Sequence, residues 1–384
     1  MPFFIFGTMN SSFFQSEQKA MLLLEDGTVF HGVSIGLKGT IGGEICFNTG
    51  MTGYQEVFTD PSYFGQLMVM TNVHIGNYGI AAEPESESER IQISGLICRS
   101  FSHSFSRPGA TSSLQDFLLK NKIVGISEVD TRALVRHIRS KGAMNAVISS
   151  EISSQDELKE KLKEVPSMAG LSLSASVSTD IPFDYGDPSA SLKVAVLDFG
   201  IKKNILRCLA AEGFLMRVFP WDTPFEAMQE FNPDAFHLSN GPGDPAAMNA
   251  VIPDIQKIIS SGKPVFGICF GHQLIAEANG IKTYKMKNGH RGINHPVLNV
   301  DTGRAEITSQ NHGFSVSEHD VINHHNVKVT HINLNDKTIE GLRMENLPVF
   351  SVQYHPEAAP GPHDSRYLFK RFKSLVEELS LIAG

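Results

Sequence analysis

The chain has 384 residues, a net charge of −8 and a hydrophobic share of 41%, which suits a globular protein of two or three domains whose core needs no disulfide or metal. An acidic balance without a basic stripe argues against nucleic-acid binding, and no stretch approaches the ~20 apolar residues of a membrane span. The four cysteines, Cys46, Cys98, Cys208 and Cys269, are far apart and form no C-x-x-C pair, so free thiols in a reducing cytoplasm are expected.

Residues 1–20 begin M-P-F-F-I-F-G-T-M-N. This run is too short to span a bilayer and lacks the cationic lead of a signal peptide. It reads as an extension without fixed structure, with Met9 and Met21 as alternative starts. A first domain over 21–150 follows, with a mixed β/α pattern. Residues 21–32, M-L-L-L-E-D-G-T-V-F-H-G, predict a hairpin turned at Asp-Gly. The glycine cluster G-T-I-G-G-E, 39–44, reads as a turn. Residues 44–49 and 66–71 predict further strands. The acidic run 83–90 reads as a solvated loop. Helices are predicted over 114–121 and 131–141; in the second, Leu134, Val135 and Ile138 share one face and Asp130 is a candidate N-cap. Residues 151–191 start with a charged helix near 156–164. The rest is rich in Ser, Thr, Ala, Pro and Asp and reads as an inter-domain connection.

A second main domain spans 192–384, where from Lys193 the rhythm changes to alternating strands and helices. K-V-A-V-L-D-F-G, F-L-M-R-V-F, D-A-F-H-L-S-N and P-V-F-G-I-C are apolar strands, with helices over 201–211 and 252–260 between them. Strands buried on both faces and alternating with helices predict an α/β fold, a doubly wound parallel or mixed sheet. Such sheets bind ligands at the carboxyl ends of their strands, and Cys269 and the G-P-G loop fall at such ends.

G-I-C-F-G, residues 267–271, has the spacing of a nucleophile elbow. The turn from strand to helix is so tight that side chains two before and two after Cys269 would collide, and glycine removes the collision. The helix that follows, expected to start at Gly271, aims its positive end at the sulfur, which favours negative charge there. On these five residues alone, a buried structural cysteine remains an equal reading. A nucleophilic thiol needs a base held by a third group. In Y-H-P-E, residues 354–357, extended chain would put His355 and Glu357 on one side, with the carboxylate orienting the imidazole. L-S-N-G-P-G-D-P, 238–245, can leave backbone amides free for an oxyanion. Q-N-H-G-F, 310–314, reads as a polar loop suited to a polar substrate. Neither His312 nor the Cys269 and His272 pair has the frame of a metal site.

Together these residues resemble the class I glutamine amidotransferase family: G-I-C-F-G-H-Q and the late H-P-E carry the likeness, and S-N-G-P-G-D-P, M-K-N-G-H-R-G-I-N-H-P-V and Q-N-H-G-F narrow it. F-N-T-G-M-T-G-Y-Q-E-V-F-T-D-P-S-Y, 47–63, and V-D-T-R-A-L, 129–134, are similar to the first domain of the carbamoyl-phosphate synthase small chain family. The resemblance covers about residues 21–381. It implies a glutaminase subunit with Cys269 as nucleophile, His355 as base and then acid, and Glu357 orienting it. It also implies a glutamyl thioester and oxyanion contacts from the Gly243 and Phe270 amides. Gly241, Gln273, Asn311, Gly313 and Phe314 match positions that hold glutamine. Ammonia would pass to a large synthetase subunit, the partner docked on the first domain in a heterodimer or higher oligomer. There ATP, bicarbonate and Mg2+ would act to make carbamoyl phosphate for arginine and pyrimidine biosynthesis. No cofactor is expected on this chain, which lacks a G-x-x-x-x-G-K-[ST] phosphate loop.

Two positions depart from the family. Gly50 stands where some members have a serine that touches glutamine, so only its backbone could contribute. Phe270 replaces the commoner leucine, but its role belongs to the amide. Two alternatives are the glutaminase subunit of another amidotransferase complex and a non-catalytic scaffold. The first-domain motif speaks against one, and the complete set of Cys269, His355 and Glu357 against the other.

Overall fold

A computed structural model describes residues 18–81, 85–359 and 361–383. The first half closes into a seven-stranded barrel in the order Lys19–Leu24, Asn145–Ser149, Thr40–Asn48, Gln66–Met70, Gly95–Ile97, Val124–Ser127, Val29–Gly36. Its opening hairpin turns where expected. Gly27 has φ +87, and the Thr28 amide donates to the Asp26 carboxylate at 3.0 Å. The predicted extension falls on residues 1–17, outside the described residues, except that Lys19 and Ala20 already belong to the first strand. Helix Thr131–Lys141 has the expected bounds, and Asp130 caps it by accepting from the Ala133 amide at 3.0 Å. Leu134 and Ile138 are fully buried on its inner face.

Two expectations for this half fail. The glycine cluster at 39–44 is no turn, since Gly42 and Gly43 lie inside strand Thr40–Asn48. A Cβ on Gly42 would meet Val165 at 2.2 Å, and one on Gly43 would meet the Gly65 carbonyl at 2.6 Å. These glycines let neighbouring chain approach the strand. The acidic run is not wholly solvated either. Its residues 83–84 lie outside the described residues, but Glu87 is only 2% exposed.

The second half is a ten-stranded sheet. Its centre is five parallel strands: Phe214–Pro220, Leu192–Asp198, Ala235–Leu238, Val265–Ile268 and Val349–Val352. Antiparallel strands Ile339–Met344, Val327–Asn333, Thr283–Asn299 and Arg304–Val316 extend one edge. On the other edge lies Phe183–Tyr185, which the inter-domain segment contributes unexpectedly. Apolar residues cover both faces, as a doubly wound sheet requires. Helices Lys203–Ala211 and Tyr367–Ala383 close one face through Ile205, Leu209, Phe369 and Phe372. Helices Ile252–Ser260 and Phe270–Ala278 close the other through Ile255, Ile258, Leu274 and Ile275.

Q-N-H-G-F is not a loop. It lies in strand Arg304–Val316, whose partner Thr283–Asn299 carries register shifts between Lys285 and His290 and between Gly292 and His295. Those irregularities re-aim side chains along an otherwise regular ladder. No helix among the described residues is long and apolar enough to cross a membrane.

Candidate active site

The loops that follow Ala235–Leu238, Val265–Ile268 and Val349–Val352 leave the same carboxyl edge of the sheet. That edge brings Gly241, Gly243, Cys269 and His355 together from distant points of the sequence. Cys269 sits at φ 53, ψ −99, a conformation that non-glycine residues rarely adopt. Its amide donates to the Val352 carbonyl at 2.8 Å, and its carbonyl accepts from the Gln273 amide at 3.2 Å. Strand and helix are pressed together around it. A Cβ on Gly271 would lie 2.2 Å from the Leu238 carbonyl oxygen, and one on Gly267 2.9 Å from that of Gly271. The elbow therefore depends on both glycines. Helix Phe270–Ala278 starts directly after Cys269, one residue earlier than the sequence suggests.

The Cys269 thiol is buried, 3.6 Å from the Asn311 carbonyl, and accepts from Gln353 Nε2 at 3.7 Å. It faces a narrow cleft that Gly241, Gly243, Phe270, Gln273, Asn311, Gly313 and Phe314 also line. Gly243 holds φ +100, and a Cβ there would strike the Leu171 carbonyl at 2.6 Å. The Phe270 side chain points away into the core, 5.8 Å from the Phe199 ring. Gln273 Nε2 donates to the Phe314 carbonyl at 2.9 Å and to Gln353 Oε1 at 3.0 Å. Gly50 is the exception. It does not line this cleft, and its amide is taken up by the Asn48 carboxamide at 2.7 Å. A side chain there would press on that oxygen, 2.9 Å from the Cβ position.

His355 and Glu357 are both buried and joined by Nδ1 and Oε1 at 2.7 Å. The pair lies in the turn beyond strand Val349–Val352, not in extended chain. His355 is anchored by its amide, which donates to the Ser309 carbonyl at 2.9 Å. Its Nε2 has no hydrogen-bond partner among the described residues. Burial and the Lys202 ammonium depress the imidazole, but Glu357 and then Cys269 outweigh them and lift it from 6.5 to about 10. Burial alone would raise Glu357, yet the Lys202 ammonium and His355 hold it well below the usual carboxylate range. A base that keeps its proton and a carboxylate that stays charged suit general acid–base work at a buried thiol.

Some contributors were not apparent from the sequence. Lys202 Nζ lies 2.6 Å from Glu357 Oε1, and Asn204 donates to the Glu357 carbonyl. Lys202 did carry a signal: it is a charged residue just past the carboxyl end of a buried parallel strand, on the same edge as Cys269. Arg291 donates to the Asn311 carboxamide, and its guanidinium lies 5.7 Å from the Tyr63 ring. The barrel also reaches in. Asp60 accepts from Asn311 Nδ2 at 3.1 Å, Ser62 accepts from Asn240 Nδ2 at 2.8 Å, and Glu44 pairs with Lys285 beside the Phe314 ring. The cleft is thus walled by both domains.

Behind the strand of Asn311 lie His290, His312 and Glu340, with donor atoms within 4.8 Å of one another. These are the described residues best placed to hold a cation. Hydrogen bonds already engage them: His290 with Glu340 at 3.2 Å and Asp336 at 2.7 Å, and His312 with Gln310 at 3.0 Å and the Phe314 carbonyl at 2.7 Å. They brace the strand that lines the cleft.

Comparison with known proteins agrees with this architecture. Residues 195–375 match the glutamine amidotransferase class-I family, and residues 22–148 match the carbamoyl-phosphate synthase small chain, CPSase domain. The carbamoyl phosphate synthase small chain of Synechococcus sp. is 49% identical over 373 residues, covering 94% of this chain and 94% of that protein. That of Nostoc sp. is 49% identical over 368 residues, covering 92% and 94%. That of Solidesulfovibrio magneticus is 47% identical over 375 residues, covering 94% and 99%. With both halves matched and nearly the whole length aligned, the chain belongs to the carbamoyl-phosphate synthase small chain family.

Proposed function

We propose that this chain is the glutaminase subunit of a carbamoyl-phosphate synthase and that Cys269, His355 and Glu357 form its catalytic triad. The observation that carries this reading is a buried thiol on a strained elbow, opening on a cleft, with a hydrogen-bonded histidine and carboxylate on the same sheet edge. Cys269 Sγ, its proton already passed to His355, attacks the side-chain amide carbon of glutamine. The oxyanion that develops is met by the amides of Gly243 and Phe270. His355 returns the proton to the departing nitrogen, which leaves as ammonia, and a γ-glutamyl thioester remains. Water, deprotonated by His355, attacks the thioester, and glutamate departs as the thiol is restored. Gly241, Gln273, Asn311, Gly313 and Phe314 hold the glutamine, and Glu357 keeps the imidazole in the productive tautomer.

Ammonia passes to a large synthetase subunit docked as a heterodimer. That partner uses two ATP and bicarbonate with Mg2+ to make carbamoyl phosphate, which serves arginine and pyrimidine biosynthesis. The test is glutamate release from glutamine by the purified chain, with and without the large subunit, bicarbonate and ATP. Slow release alone and a large rise with the partner are expected. Fast release that ignores the partner would instead make the chain a free-standing glutaminase, and no release in either case would make it a scaffold.

A further inference from the structure

Glu87 belongs to the acidic segment of the barrel domain, yet it is buried at the seam between the two halves. Its amide donates to Thr59 Oγ1 at 2.9 Å, which fixes it to its own domain. Its other contacts cross to the amidotransferase domain. The Glu87 carbonyl accepts from the Lys203 amide at 3.0 Å, and Oε2 accepts from the Asn204 amide at 2.9 Å. These amides open helix Lys203–Ala211, whose N-cap residue Lys202 makes no capping bond with its own side chain. The first amides of a helix have no partner within it, and a carboxylate satisfies them and complements the helix dipole. The cap is therefore supplied by the other domain.

The residues so placed, Lys202 and Asn204, are the ones that grip Glu357, one at its carboxylate and the other at its carbonyl. We propose that Glu87 is a positioning residue for the His355 and Glu357 pair, acting as an inter-domain cap on the helix whose first turn holds Glu357. This rests on the triad proposed above. A displacement of segment 85–90 would reach the base through the start of that helix, so the docking domain has a mechanical route to the chemistry. Burial lifts the Glu87 carboxyl to about 7 against the pull of Lys202 and the Asn204 amide, with Glu357 and Asp60 adding to the lift.

The test uses the full chain as wild type, Glu87→Ala, Glu87→Gln and, as a control, Glu89→Gln. Glu89 is the exposed neighbour that pairs with Lys203 at 2.6 Å. Steady-state glutamine hydrolysis is measured from pH 6 to 10. Glu87→Ala should lower kcat by about ten- to a hundredfold, the effect of misplacing a catalytic group slightly, with KM within about twofold. The alkaline limb of kcat should move to lower pH, because a loosened Glu357 lifts His355 less. Glu87→Gln keeps an oxygen for the Asn204 amide and should recover most of kcat, and Glu89→Gln should match wild type. Unchanged kcat in Glu87→Ala would overturn the proposal, as would a loss confined to KM with an unmoved limb. Should Glu87→Ala fail to fold, Glu87→Asp decides, since its shorter side chain draws the carboxylate back from the Asn204 amide: a lowered kcat with a shifted limb supports the proposal, and wild-type behaviour refutes it. A wild type that hydrolyses no glutamine would refute the glutaminase reading itself.

Discussion

Replacing Glu357 by Gln should flatten the loss of stability expected of the chain between neutral and alkaline pH. Folding lifts His355 from 6.5 to about 10, so in that interval the folded state binds a proton that the unfolded chain releases. The stabilisation is complete below 6.5 and is lost as pH rises through about 10. At 1.36 kcal/mol per pH unit the whole effect is ~5 kcal/mol, and ~4 kcal/mol of it is gone by pH 9.5. Glu357 is the nearest negative charge, at 2.7 Å, and a carboxamide in its place would keep an oxygen but not the charge. The variant should therefore lose less than half as much over the same range. It should also start about 3 kcal/mol less stable at pH 6.5, because the buried Lys202 ammonium loses the carboxylate at 2.6 Å. Urea unfolding followed by circular dichroism at pH 6.5, 7.5, 8.5 and 9.5 reads both effects. Cys46, Cys98 and the buried tyrosines owe none of their shifts to Glu357 and cancel in the difference. Parallel stability curves for the two proteins would refute the assignment of Glu357 as the source of the lift. In steady-state hydrolysis Glu357→Gln should cost less kcat than His355→Asn, since it leaves the base in place; the opposite ranking would overturn the roles.

Cys269→Ser should abolish glutamine-dependent synthesis by the complex while synthesis from added ammonia survives; loss of both activities would make the thiol structural. Gly271→Ala should unfold the elbow or cost more than about 3 kcal/mol, since the new methyl meets a backbone oxygen at 2.2 Å. A melting temperature within a degree of wild type would show that the strand–helix contact can relax. His237 is fully buried beside Phe266, with neither ring nitrogen hydrogen-bonded among the described residues, and burial pushes it down to about 4. The proton-linked part of its cost to stability is absent above 6.5 and grows as pH falls toward about 4; the unpaired ring nitrogens cost stability at every pH. His237→Leu should therefore raise stability by ~1–2 kcal/mol at pH 7 and by more at pH 5; a gain that shrinks on acidification would contradict this.

What the amino-acid sequence determined by itself is local and steric. The G-I-C-F-G elbow was legible because glycines two before and two after Cys269 answer to a collision within five residues. His355 and Glu357 were legible because a spacing of two keeps them in reach, even though the chain joins them through a turn and not a strand. Asp130 and Gly27 revealed a cap and a hairpin for the same reason. Other features belong to the tertiary structure alone. Gly42 and Gly43 look like a turn until Val165 and the Gly65 carbonyl close on them. Q-N-H-G-F looks like a loop because its residues are polar. It is a strand because Asp60, Arg291 and the His290–Glu340 network satisfy those polar groups inside the protein. Lys202 meets Glu357 across 155 positions of sequence, and Glu87 crosses from one domain to the other to reach Asn204. A clash between near neighbours leaves its mark on the residues that avoid it. Whether a charge can be buried depends on which distant group faces it, and only the folded chain decides that.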